Sequence, residues 1–167
     1  SELGILFLSH FNREVLLRIL QNNDLQFVQQ FTAKPHVFVS RSNPLAKKSS
    51  GTREDLLAYP RLTYDQGTNN SFYFSEELYS TDESPKNIIV SDRATLFNLL
   101  IGLNGYTISS GILSSDLNGT DIASIPLESE ECMEIGYIHP IDRPLSQMAQ
   151  RYLEHFRTYI ANYQSNQ

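Results

Sequence analysis

An α/β fold, a sheet packed by helices, is what this chain of 167 residues predicts. Three observations carry the prediction. Short apolar or alternating runs recur with helical stretches between them. The segment from Val90 to Ile112 reads as strand, polar cap, apolar helix, glycine stop and second strand, which is a parallel β-α-β crossover in miniature. The chain then ends on a long amphipathic helix.

The elements follow in order. Residues 3–8 form a continuous apolar run, the pattern of a strand buried on both faces. Ser9-His10-Phe11-Asn12 breaks it, and Asn12 stands at the N-cap of a helix over 13–21 with Val15, Leu16, Ile19 and Leu20 on one face. Residues 25–31 alternate as a half-buried strand does, and 36–40 form another strand after the break at Pro35. Thr52, with Asp55 three residues on, opens a short helix in a near capping box that Tyr59-Pro60 ends. A strand over 61–64 leads into a turn-rich loop, and Phe72, Phe74 and Leu78 with acids between them predict a helix over 71–79. A strand over 87–90 and a helix over 93–103, capped by Ser91 and Asp92, build the crossover, and Gly102-Leu103-Asn104-Gly105 stops the helix. Asn118-Gly119 marks a turn, with strands over 121–127 and 133–139 after it. The last helix, 145–163, places Met148, Tyr152, Phe156, Tyr159 and Ile160 on one face.

Composition removes several function classes. The length suits one domain or two small lobes. Acidic residues outnumber basic ones and the formal charge is −6, so a polyanion such as DNA is repelled. Arg41, Lys47, Lys48 and Arg53 cluster around one loop and read as a solvated turn. Cys132 is the sole cysteine, which rules out an internal disulfide and reads as a partly buried structural thiol. No apolar run reaches 18 residues, so no membrane span is expected, and the first residues lack the basic start of a signal peptide.

Motifs for chemistry are absent. Neither a dinucleotide glycine fingerprint nor a phosphate-binding loop occurs. The four histidines are scattered without metal-ligand spacing, and Asp116 to Asp121 places its glycine too early for a calcium loop. No nucleophile elbow exists, and the adjacent acids Glu76-Glu77 and Glu130-Glu131 point apart and read as solvated. No catalytic residue, metal or cofactor is therefore expected. What remains is a set of polar groups where strands end. Thr63, Tyr64, Asp65 and Gln66 stand at one carboxyl rim, Ser9 and His10 follow the first strand in the same way, and Asn104 sits just before a strand. Each has a local reading as a cap or turn residue; as a set they suit a small polar ligand.

Five segments carry a resemblance to a known family. These are Leu3-Gly4-Ile5-Leu6, Asn43-Pro44-Leu45-Ala46, the run Leu99-Leu100-Ile101-Gly102-Leu103-Asn104-Gly105-Tyr106-Thr107-Ile108, Ile125-Pro126-Leu127 and Leu145-Ser146-Gln147-Met148-Ala149. In this order the chain resembles the effector-binding domain of LysR-type bacterial transcriptional regulators, with Asn43 where the family carries histidine. The resemblance implies a two-lobed periplasmic-binding-protein-like fold with the first lobe incomplete. Residues 1–33 and 130–167 would form the partial first lobe and 34–129 the second. It implies a small-molecule effector in the cleft between lobes, a homodimer or higher homo-oligomer, a cytoplasmic location, no membrane, and contact with DNA only through a helix-turn-helix upstream. A solute-binding module of a transport system is the alternative of the same ancestry. An enzyme of a related two-lobed fold would need a threonine and carboxylate constellation that these residues do not assemble.

Overall fold

A computed structural model describes all residues except 1, 66, 68–71, 76, 80–81, 115–117 and 166–167, and the side chains of 72, 164 and 165 are likewise left aside. The strands are β1 (Gly4–Leu8), β2 (Leu25–Ala33), β3 (His36–Ser40), β4 (Arg61–Tyr64), β5 (Asn87–Val90), β6 (Tyr106–Ser109), β7 (Ile122–Pro126) and β8 (Met133–Pro140). The helices are α1 (Arg13–Asn22), α2 (Arg53–Leu56), α3 (Arg93–Gly102) and α4 (Gln147–Ser165). The chain divides into two compact units, Ser1–Thr32 with Glu134–Gln167, and Ala33–Met133.

The first unit holds a three-stranded sheet in the order β1-β8-β2. β1 runs antiparallel to β8, with Leu6 opposite Gly136. β1 pairs antiparallel with β8 and has only one face turned inward: Leu8 is buried, whereas Ile5 is 44% exposed. The expectation of burial on both faces is thereby corrected. Asn12 precedes α1 but does not cap it. Its Oδ1 turns back to accept the Ser9 amide at 2.7 Å. α4 also differs from its expected face. Ala149, Leu153 and Ile160 are buried, with Phe156 half-buried against the Phe31 ring, whereas Met148, Tyr152 and Tyr159 are exposed. The inward stripe lies one residue away from the aromatic one, because the tyrosines can keep their hydroxyls in water.

The second unit is a five-stranded mixed sheet in the order β5-β4-β6-β3-β7. β4 is parallel to β5 and β6, and β3 is antiparallel to β6 and β7. The crossover read from the sequence is present as β5-α3-β6, whose strands flank β4 on both sides. Asp92 caps α3, its Oδ1 accepting the Thr95 amide at 2.9 Å and its Oδ2 the Thr95 hydroxyl at 2.7 Å. α3 buries Leu96 and Leu100 on one face of the sheet, against Phe38, Leu62, Val90 and Ile122. The capping box of α2 forms in full, with Thr52 and Asp55 exchanging side-chain to backbone bonds.

Three expectations are overturned here. The helix expected over 71–79 is absent; among the described residues only the 3-10 turn Phe72–Phe74 forms. The Ser75 hydroxyl bonds to the backbone of Glu77, and such local bonds compete with a helix. Glu77, expected in solvent, is buried. Cys132 is exposed rather than partly buried, its Sγ lying 3.6 Å from the Ala33 carbonyl. No helix among the described residues is long and apolar enough to cross a membrane.

Candidate functional site

Strand alternation decides which side chains of β4 reach which face. Leu62 and Tyr64 turn toward α3, and Arg61 and Thr63 toward the other face, where α2 lies. Because β4, β5 and β6 are parallel, Tyr64, the start of α3 and Ser109 meet at one rim. A cavity of about 130 Å³ opens there, walled by Tyr64, Glu77, Arg93, Phe97, Thr107 and Ser109. Such a rim, where strands end and a helix begins, is where open α/β sheets collect ligands. The volume equals roughly four waters at liquid density, so it takes the head group of a small molecule.

The walls are chemically mixed. The Arg93 guanidinium lies 4.9 Å from the centre of the Phe97 ring, and its Nη2 donates to Asn118 Oδ1 at 2.9 Å. Glu77 Oε1 accepts the Tyr64 amide at 2.9 Å, which satisfies a backbone donor where the ladder ends. The Thr95 amide, with the Thr95 hydroxyl second, holds the Asp92 carboxyl below its ordinary pKa, so the helix start is already answered by a fixed negative charge. One cation, one acid and three hydroxyl-bearing side chains in the walls, with Asp92 at the helix start, favour a polar or singly charged head group over a multiply charged anion.

The residues expected at a site are spread as follows. Tyr64 lines the cavity, half-buried. Thr63 faces away from it, buried, with its hydroxyl 3.4 Å from Asn87 Oδ1. Asp65 is exposed, and its Oδ1 accepts the Gly67 amide at 2.9 Å, a turn bond. Gln66 lies outside the described residues. Asn104 precedes β6 at the opposite rim, with φ 55°, and its carbonyl accepts Asn43 Nδ2 at 3.3 Å. Ser9 and His10 belong to the other unit: Ser9 is buried in its bonds to Asn12, and His10 is exposed. Sequence reasoning missed Glu77, Arg93, Phe97, Thr107 and Ser109. Arg93 carried a usable signal, the first turn of a capped helix after a parallel strand; Glu77 carried none.

Neither a protein-family model nor a curated protein sequence matches the chain. Solved structures do. The QuiR effector-binding domain in complex with shikimate matches at 17% identity with a TM-score of 0.56, over 87% of this chain and 77% of that one. The BenM effector-binding domain with its effector benzoate matches at 16% identity and a TM-score of 0.58, over 91% of this chain and 76% of that one. HinK, a LysR family transcriptional regulator from Pseudomonas aeruginosa, matches at 12% identity and a TM-score of 0.62, over 95% of this chain and 52% of that one. Two of these are effector-binding domains and the third is a transcriptional regulator. The chain therefore has the α/β, periplasmic-binding-protein-like fold of the effector-binding domains of LysR-type regulators.

Proposed function

We propose that this chain is the small-molecule-sensing domain of a LysR-type transcriptional regulator in the cytoplasm. On this reading it grips the effector's head group in the cavity beside Tyr64. The observation that carries the reading is that cavity's place, at the carboxyl ends of β4 and β6 beside the start of α3, in a fold shared with domains described with shikimate and with benzoate. Phe97 and Tyr64 supply apolar walls, while Arg93, Thr107 and Ser109 supply polar partners. The effector acts by binding one conformation of the domain more tightly than another, which shifts their populations. A coupling of about 1–3 kcal/mol is usual for such switches. Self-association and the control of a separate DNA-binding segment belong to the same proposal.

A thermal-shift screen of the protein with small organic acids and polyols tests it. A true effector raises the melting temperature, since a ligand at a hundredfold excess over its Kd stabilises by about 2.7 kcal/mol. Tyr64→Ala and Ser109→Ala each weaken that effector by about tenfold or more, with the circular dichroism spectrum unchanged. An effector bound equally well by both variants sits elsewhere, and the reading fails.

A further inference from the structure

The geometry points to a second binding site, on the opposite face of the same sheet, for a free amino acid with an apolar side chain. A cavity of about 330 Å³ lies there, entirely within the second unit. Its floor is Leu56, Arg61, Tyr106 and Ile108, all buried, and Arg61 is only 4% exposed. Its rim carries the exposed acids Glu54 and Glu83.

Among the described residues, no carboxylate reaches ion-pair distance of the Arg61 guanidinium on that floor. Arg61 donates through Nη2 to the Leu78 carbonyl at 3.2 Å and through Nη1 to the Asp82 carbonyl at 3.3 Å. Both bonds are longer than charge-assisted ones to a carboxylate, and Arg61 joins no ion pair among the described residues. Burial lowers its pKa, while the carboxylate charges of Glu77 and Asp82 favour its charged form and Arg53 opposes it. A guanidinium stays charged in such surroundings, and a buried charge gains most from a partner that is itself charged. A planar carboxylate matches its fork.

The rim has the opposite sign. Asp82 is engaged by Arg53, whose guanidinium also lies 4.9 Å from the centre of the Tyr79 ring. Glu54 and Glu83 form no ion pair among the described residues. A simple anion would have to pass these two acids, and a simple cation would meet Arg61. A zwitterion answers both, its carboxylate toward Arg61 and its ammonium toward Glu54 and Glu83. Leu56, Ile108 and the Tyr106 ring leave an apolar wall for its side chain.

The inference stands apart from the proposed effector cavity, and titration calorimetry tests it on the intact protein. The probes are L-alanine, L-leucine and L-phenylalanine, with L-leucinamide and 4-methylpentanoate as analogues lacking the carboxylate or the ammonium. At least one of the three amino acids binds; for leucine, each analogue is weaker by about tenfold or more. Exchanging both exposed rim acids, Glu54→Gln with Glu83→Gln, weakens the bound amino acid by roughly three- to tenfold. Tyr64→Ala leaves it unchanged. No binding by any of the three overturns the site, as does 4-methylpentanoate binding as tightly as leucine. So does binding that Tyr64→Ala removes and the double variant leaves intact; that pattern would place the amino acid in the Tyr64 cavity instead.

Discussion

At the scale of single residues, Glu77 shows how an unremarkable acid becomes structural. In sequence it is the second of two adjacent glutamates and reads as solvated. In the fold it is buried, its Oε1 accepting the Tyr64 amide where β4 still pairs with β5 but no longer with β6. Nothing in a pair of neighbouring acids announces which of them a distant strand end will claim. The caps are the opposite case, since their partners lie within three residues and are legible directly. They also set a pH dependence. Asp55 is held below its ordinary pKa first by the Lys48 ammonium and then by the Thr52 amide, and Asp92 by the Thr95 amide. In the unfolded chain both return to ordinary values. Their stabilisation is therefore complete above the ordinary aspartate pKa and is lost as pH falls through the lower folded one. The melting temperature should drop on acidification from about pH 5 to about pH 3. In Asp92→Asn that drop should be smaller than in the parent; melts followed by circular dichroism at each pH decide it, and an equal drop would remove Asp92 from the account.

At the scale of elements, legibility follows how local the determining forces are. β5-α3-β6 could be read because cap, apolar run and glycine stop are contiguous. The false helix over 71–79 came from aromatic spacing alone, which the serine-to-backbone bonds of Ser75 override. The face of α4 was misread by one residue because tyrosines satisfy an apolar pattern while remaining exposed. β8 exposes a constraint that no pattern reveals. A Cβ on Gly136 would fall 2.5 Å from the Val28 carbonyl oxygen and 2.6 Å from the Phe27 ring, so the neighbouring strand passes where a side chain would stand. Gly136→Ala should cost about 1–3 kcal/mol by overpacking, measured by urea denaturation. A change under about 0.5 kcal/mol would mean that β2 moves aside without strain.

At the scale of the whole molecule, the rim of β4 could be anticipated from a strand feeding a polar loop, but its company could not. Thr107, Ser109 and Arg93 reach Tyr64 only because β6 and α3 pack beside β4, and that adjacency is a property of topology. The fold itself was legible as an order of weak segments rather than through any single motif. Topology also bears on the autonomy of the second unit. It has its own sheet and its own core. Its outgoing strand closes against its incoming one: the Leu127 amide donates to the Pro35 carbonyl at 3.0 Å, and the Cys132 Sγ lies 3.6 Å from the Ala33 carbonyl. Residues 33–133 expressed alone should unfold in urea as one cooperative transition, and a broad, probe-dependent transition would contradict this. A stretch whose two loose tips already touch behaves as a cassette. Spliced into a surface turn of an unrelated carrier, it would import both of its hollows without prying the carrier open.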